Sequence, residues 1–239
     1  MTIPVIGIPC LNRADLLLRC IRSIDHAFDK LIIVNNGNDP GVKAVCEQLG
    51  DEYLTKLVIY APGRNLGVAA SWNWIIDSQP TALYWLLVGN DIKFTPGDLR
   101  KMNRFIRAHL DYVTMPANQG HSLFAVTQRG RDTIGAFDEG FWPAYLEDSD
   151  HMYRVKLANA KWADVPDVHA IHGEAPTYGS HTIYADAELF RRNQETHRAN
   201  FEYYKTKWGG APGEETFIVP YNDPALSASD SRLPMPRML

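Results

Sequence analysis

The chain of 239 residues is long enough to bury a proper core, as one large domain or two small ones. At 45% hydrophobic and 22% charged residues, with no low-complexity stretch, it is globular in composition, which excludes disordered and fibrous classes. A net charge of −4 gives no global attraction to nucleic acid or anionic membrane, and no apolar segment approaches the roughly 20 residues of a bilayer span.

The opening MTIPVIGIPCLNR has too short an apolar run and no leading positive charge for a signal peptide. Cys10, Cys20 and Cys46 form no CxxC pair and read as buried thiols of a reducing compartment, so the expected location is the cytoplasm. Four short apolar runs, at 3–8, 31–34, 57–60 and 83–88, have the continuous character of strands covered on both faces. Between them lie helical patterns. Residues 13–28 put Leu17, Ile21, Ile24 and Phe28 on one stripe, with Asn12 as candidate N-cap and Asp15 in the first turn. Residues 67–78 and 96–109 also read as helices. This alternation predicts an α/β fold with a mostly parallel sheet, whose ligands sit at the carboxyl ends of the strands. The loops 9–13, 35–39 and 89–91 are thereby marked in advance.

After about residue 112 the pattern changes to short strands at 112–115 and 123–127, a helix over 147–159 and a long polar helix over 186–208. The tail beyond Gly209, rich in Pro, Ser and Gly, is expected to be a loosely packed arm. No repeat is visible. There is no GxGxxG or GxxxxGK[ST] and no GxSxG elbow. His169 and His172, three apart, do not match the HExxH zinc arrangement. Dinucleotide, P-loop and α/β-hydrolase chemistries are therefore not indicated.

Five stretches remain: IPCLNRADLLLRCIRSI (8–24), IIVNNGND (32–39), GRNLGVAASWNWII (63–76), LLVGNDIKF (86–94) and YLEDSDHMYR (145–154). Their order resembles that of the GT-A glycosyltransferases, specifically family-2-like inverting enzymes. The Pro-x-x-Asn-Arg loop is matched by Pro9, Asn12 and Arg13. The base-holding turn is matched by Asn35 and Asn36, and the R-N-x-G stretch with its later Asn by Arg64, Asn65, Gly67 and Asn73. Glu147, Asp148 and Asp150 match the late acidic segment, His172-Gly173 the His-Gly that follows, and Lys207-Trp208-Gly209 the close. The resemblance covers roughly residues 3–210. It implies a single GT-A domain over 1–210, with a nucleotide-sugar-binding half (1–110), an acceptor or catalytic half (111–210) and a C-terminal extension (211–239).

The resemblance also implies roles. Asp91, with Asn90 beside it, would hold Mn²⁺ or Mg²⁺ on a nucleotide diphosphate-sugar, since hard cations take oxygen ligands. The family's usual pattern is Asp-x-Asp, and the first position here is Gly89. The residues themselves also allow a plain Asn-Asp turn. His172 would support the metal, with His169 as competitor. Asn35 stands where the family has Asp, so uridine, guanosine and thymidine nucleotides stay open. Arg64 suits a phosphate or a solvated loop position alike. Asp148 would be the general base on the acceptor hydroxyl, with Trp142, Glu147 and Asp150 shaping the acceptor side. The same carboxylates would also stabilise a helix N-terminus, and Arg154 is spaced to pair with Asp150.

The function expected is a metal-dependent inverting glycosyltransferase acting on a glycan, small molecule, protein or modified DNA. Two alternatives stand beside it: a phage-type DNA glycosyltransferase acting on a modified base, and a catalytically weakened nucleotide-sugar-binding module, which Gly89 invites.

Overall fold

A computed structural model of the chain describes residues 1–173 and 187–230, without the side chains of 51–54. Six strands form one sheet: β1 (Ile3–Cys10), β2 (Phe28–Asn35), β3 (Leu57–Tyr60), β4 (Tyr84–Val88), β6 (Thr114–Ala117) and β7 (Gly120–Thr127). Their order is β3-β2-β1-β4-β7-β6. The first four run parallel, and β7 returns antiparallel to both β4 and β6. The sheet is therefore the mostly parallel α/β arrangement the alternation predicts. The order in which strands are added to the sheet reverses at β1 and β4, and at such a switch point a crevice opens at their carboxyl ends.

Helices cover both faces. Leu17, Cys20 and Ile21 of α1 (Ala14–Arg22), Val42, Cys46 and Leu49 of α2 (Pro40–Tyr53), and Leu99, Met102 and Ile106 of α4 (Asp98–Ala108) are all buried against one face. Trp72, Ile75 and Ile76 of α3 (Val68–Ser78) meet Val5, Ile32, Trp85 and Phe124 on the other. A Cβ on Gly7 would lie 2.4 Å from Ile75 Cγ2, so α3 rests on β1 at a position only glycine leaves open. All three cysteines are free and buried.

Beyond α5 (Gln128–Ile134), helix α6 (Glu147–Leu157) packs with the long α7 (Ala187–Trp208) around Phe141, Leu146, Tyr153, Tyr204 and Trp208. A two-stranded pair, β5 (Ile92–Lys93) with β8 (Ile171–His172), stands apart from the main sheet.

Several boundaries differ from expectation. The helix predicted over 13–28 ends at Arg22, because Phe28 opens β2 instead. Asn12 is not its cap: Arg13 holds that position in the left-handed region (φ 60°) with no side-chain cap bond. The tail is not a loose arm as far as it is described. Thr216 and Phe217 donate to the Trp208 carbonyl, Tyr153 donates to Phe217 and Tyr204 to Glu215. Residue 186 and the segment 231–239 lie outside the described residues. No helix among those described is long and apolar enough to cross a membrane.

Candidate active site

A cleft of about 750 Å³ opens at the β1/β4 crossing. Pro9, Cys10 and Leu11 supply one wall from the end of β1, Asn36 and Asn65 another, and Gly89, Asn90 and Asp91 the floor beyond β4. The loops are tied to one another rather than free. Asn90 Nδ2 donates to the Asn12 carbonyl at 3.0 Å. Asn36 accepts from the Leu66 N–H at 2.7 Å and donates to Asn65 Oδ1 at 2.9 Å. A Cβ at Gly37 would fall 1.8 Å from the Leu11 carbonyl oxygen, so glycine lets the first two loops touch.

Asp91 and His172 meet because β5 pairs with β8, setting Ile92 opposite His172. The Gly173 N–H donates to the Asp91 carbonyl at 3.0 Å, and Arg19 of α1 donates to the carbonyls of Asp91 (2.7 Å) and Gly173 (3.0 Å). Asp91 Oδ2 and His172 Nε2 stand 3.3 Å apart. That separation would let both side chains ligate one cation. His169 is elsewhere, its backbone held by Asp98 and Thr95, so His172 is the histidine at this position. Among the described residues no group of three or more His, Cys, Asp or Glu side chains is placed to hold a metal. A divalent cation fits the Asp91–His172 pair only if diphosphate oxygens and water complete its shell, as Mg²⁺- and Mn²⁺-type sites allow. At Gly89 a Cβ would sit 3.0 Å from Asp91 Oδ1, so the absent carboxylate leaves the room into which Asp91 folds.

The acidic segment enters from the opposite side. Tyr145 (φ 80°) and Leu146 (φ 70°), both left-handed, turn the chain into α6 and bring Glu147 and Asp148 to the cleft. Asp148 Oδ1 accepts from the Ser149 N–H at 2.8 Å and remains partly exposed. Glu147 is 6% exposed. Burial, and then the Asp148 charge, push its carboxyl up to about 8 against the pull of backbone N–H groups. Trp142, half exposed, is fixed at the rim by its indole N–H on the Asn65 carbonyl (3.1 Å). Gly67 (φ 87°) opens α3 directly beneath it, where a Cβ would come within 2.9 Å of the indole. The first turns of α7 close the cleft with Arg192, Asn193 and Thr196.

Several expected site residues are not at the cleft. Asp150 points inward, accepting from Arg154 (2.9 Å), Lys207 (2.6 Å) and Trp208 (2.8 Å). Burial alone would raise that carboxyl, but Arg154 and Lys207 hold it below its ordinary value. Asn73 is buried and clamps α3 to the 137–139 segment through Phe137 and Glu139. Asn35 closes its own turn, exchanging two hydrogen bonds with the Asp39 backbone. Asn12 accepts from Asn90 through its carbonyl, Arg13 turns aside to Asp15, and Arg64 is exposed outside the lining. Of the neighbouring aromatics, Phe141 is buried in the core and Trp162 is exposed outside the cleft lining. The sequence reading missed His121, at the entry of β7. Because β7 runs antiparallel to β4, its first residues return to the carboxyl end of β4.

The sheet order, the crevice at its switch point and the paired acidic elements define a GT-A glycosyltransferase fold. Within that class the chain belongs to glycosyl transferase family 2, whose model matches residues 5–160. Solved structures of the same fold include the mannosyltransferase PcManGT from Pyrobaculum calidifontis in complex with GDP-Man and Mn²⁺. It is 14% identical with a TM-score of 0.64, over 88% of this chain and 66% of that one. S. aureus TarS in complex with UDP is 14% identical (TM-score 0.56; 84% and 65% covered), and GalNAc-T7 with UDP, GalNAc and Mn²⁺ is 9% identical (TM-score 0.60; 85% and 50% covered). The chain thus spans one half to just under two thirds of the length of these structures. No curated protein matches it.

Proposed function

We propose that this chain is a metal-dependent inverting glycosyltransferase that moves a sugar from a nucleotide diphosphate-sugar to an acceptor hydroxyl. The observation that carries the reading is the convergence of the Asp91–His172 pair and Asp148 on one cleft. The donor occupies the half formed by 1–110, against Pro9, Asn36, Asn65 and Asn90, and the acceptor enters from the half formed by 111–210, beside Trp142. The tail from 211 is an extension to these halves. Asp91 and His172 would hold Mn²⁺ or Mg²⁺, which when bound would offset the charge developing on the leaving diphosphate. The Asp148 carboxylate takes the proton of the acceptor hydroxyl. The acceptor oxygen forms its bond to the anomeric carbon as the bond from that carbon to the diphosphate oxygen breaks, and the nucleoside diphosphate departs with the electron pair. One face is attacked as the other is vacated, which inverts the anomeric centre. Family membership supports this reading, as do the nucleotide and Mn²⁺ complexes of proteins with the same fold.

Asp148→Asn is expected to lower transfer at least 100-fold with nucleotide affinity within about twofold, removal of a general base alone being typically worth 10²–10⁴. Lost binding with retained transfer overturns the assignment. Asp91→Ala is expected to abolish the Mn²⁺-dependent part of nucleotide binding, read as a thermal shift on a UDP, GDP, TDP and CMP panel with and without Mn²⁺. Equal shifts in chelator and in Mn²⁺ for the unaltered chain overturn the metal.

A further inference from the structure

Helix α6 turns a polar stripe inward. Glu147, His151 and Arg154 follow one another at helical spacings of four and three, so they share one face, and all three are buried. Each keeps one buried polar atom without a hydrogen-bond partner among the described residues: Glu147 Oε2, His151 Nδ1 and Arg154 Nη2. A helix docked through such a stripe is held only while the charges along it balance, because an unpaired buried charge is strongly destabilising.

The charge already present is balanced. Arg154 donates to Asp150 and to the Ile134 carbonyl of α5, and Asp150 also accepts from Lys207 and Trp208 of α7. His151 sits beside this pair as a ring that adds no charge. Its Nε2 is bonded to Thr114 Oγ1 of β6 at 2.8 Å, and the ring stacks on Phe137 at 4.5 Å between centroids. The titratable group facing it from β7 is His121, 5.9 Å away, and from its own helix Arg154. Burial, then Arg154, then His121 hold the His151 imidazole well below its ordinary 6.5. Thr114 and Phe137 carry no charge that could stabilise an imidazolium, and the adjacent Asp150 is committed to its three donors. Glu147, at the cleft end of the stripe, keeps its proton, since burial and the Asp148 charge raise its carboxyl to about 8.

From this stripe we infer that α6 is a two-sided pH latch: it docks with Glu147 protonated and His151 unprotonated, and both alkali and acid favour its release. Asp148 lies in the first turn of the same helix, so release withdraws it from the cleft. The latch is a property of the fold, and only that last consequence rests on the proposed reaction.

The two limbs have opposite signs. A released Glu147 ionises above 4.5 and a docked one only above about 8, so between these values opening gains about tenfold per pH unit as pH rises. A released His151 takes a proton below 6.5 that the docked ring does not, so opening gains about tenfold per unit as pH falls beneath that value. From pH 7.5 to 5.5 His151 therefore favours opening by about tenfold, and Glu147 opposes it by more than tenfold.

Amide hydrogen exchange over residues 150–157 of the full chain reads this opening, after correction for the intrinsic pH dependence of exchange. The quantity compared is the opening at pH 5.5 divided by that at pH 7.5. His151→Gln, whose amide still reaches Thr114 and does not titrate, is expected to lower this ratio about tenfold. Glu147→Gln is expected to raise it more than tenfold, and the double variant to show the product of the two changes. His121 contributes alike to every chain and cancels from the comparison. A ratio that either substitution leaves unchanged overturns the latch. Exchange in α6 is also expected to run at least tenfold faster than in β1 and β4; equal rates would mean whole-chain unfolding and overturn it too. Imidazole NMR tests the unaltered chain without any substitution. The His151 Cε1 proton is expected to hold its neutral position through pH 6.5, and a titration there with the α6 amides still protected overturns the latch. A chain that shows both ratios but transfers no sugar in Mn²⁺ overturns the proposed reaction instead and leaves the latch standing.

Discussion

Glu147 shows how a single carboxyl can link the cleft to the stability of the whole chain. Its pKa is raised from 4.5 to about 8, first by burial and then by the Asp148 charge. Below pH 4.5 both folded and unfolded states carry the proton. Between about 4.5 and 8 the unfolded chain ionises while the folded one does not, so stability falls as pH rises, and the loss is complete once pH passes the folded value. Glu147→Gln removes this proton linkage. Its melting temperature is therefore expected to gain on that of the unaltered chain progressively from pH 5 to pH 8.5, by an amount corresponding to a few kcal/mol. A constant offset across that range would show that Glu147 is not buried in its neutral form. The residue scale is also where the sequence was read unevenly. That Asp91, His172 and Asp148 line one cleft is in keeping with the order the resemblance gives them, and for Asp91 with the strand-end rule. Asp150 and Asn73 lie outside the cleft lining: Arg154, four residues on, pairs with Asp150 as its spacing suggests, but their other partners, Lys207, Trp208, Phe137 and Glu139, lie 57 to 66 positions away in the chain.

At the scale of elements, apolar runs located β1 to β4 within a few residues: β1, β2 and β4 lie inside the sheet and are largely buried, while the edge strand β3 is β-branched and apolar yet only half-buried. The short β5–β8 pair was invisible: two residues carry no periodicity, and its existence depends on a partner about 80 positions away. Helix α2 is not among the helices expected above, although Val42, Cys46 and Leu49 repeat at helical spacing and Pro40 stands at the first helical position, where its fixed φ suits a helix. Contact between elements can be tested at Gly7. An added methyl there would meet Ile75 Cγ2 at 2.4 Å, pressing α3 off β1. Gly7→Ala is expected to cost about 1–3 kcal/mol as overpacking. Ile75→Ala alone costs about 2–5 kcal/mol as a cavity. Because each change relieves the other, the double variant should be more stable than the sum predicts by at least 1 kcal/mol in urea unfolding. Strict additivity would mean that α3 does not bear on β1 at this point.

For the whole molecule, the question is how the half that carries Asp148 is held against the half that carries Asp91. Helix α6 is fastened from behind by α7: Lys207 lies 2.7 Å from Asp138 and 2.6 Å from Asp150, and all three are buried. Gly209 (φ 73°) then reverses the chain, and at Gly210 a Cβ would collide with the Glu214 carbonyl, so two glycines allow the tail to fold back over the end of α7. The tail accepts hydrogen bonds from Tyr153 and Tyr204 and caps the Trp208 carbonyl with two N–H groups. The tail therefore secures α7, and α7 secures the helix that begins with the proposed base. A chain ending at Gly210 loses these bonds, each worth about 1 kcal/mol, together with the cover over Tyr204 and Trp208. Since 1 kcal/mol moves the melting point of a chain this size by about 2–4 °C, a fall of roughly 5–10 °C is expected. Because the Asp91–His172 pair is held by β5, β8 and α1, while these tail contacts go to α6 and α7, Mn²⁺-dependent nucleotide binding at 15 °C should survive while transfer falls. An unchanged melting point, or nucleotide binding lost in step with transfer at that temperature, would show that the tail does not act through α6.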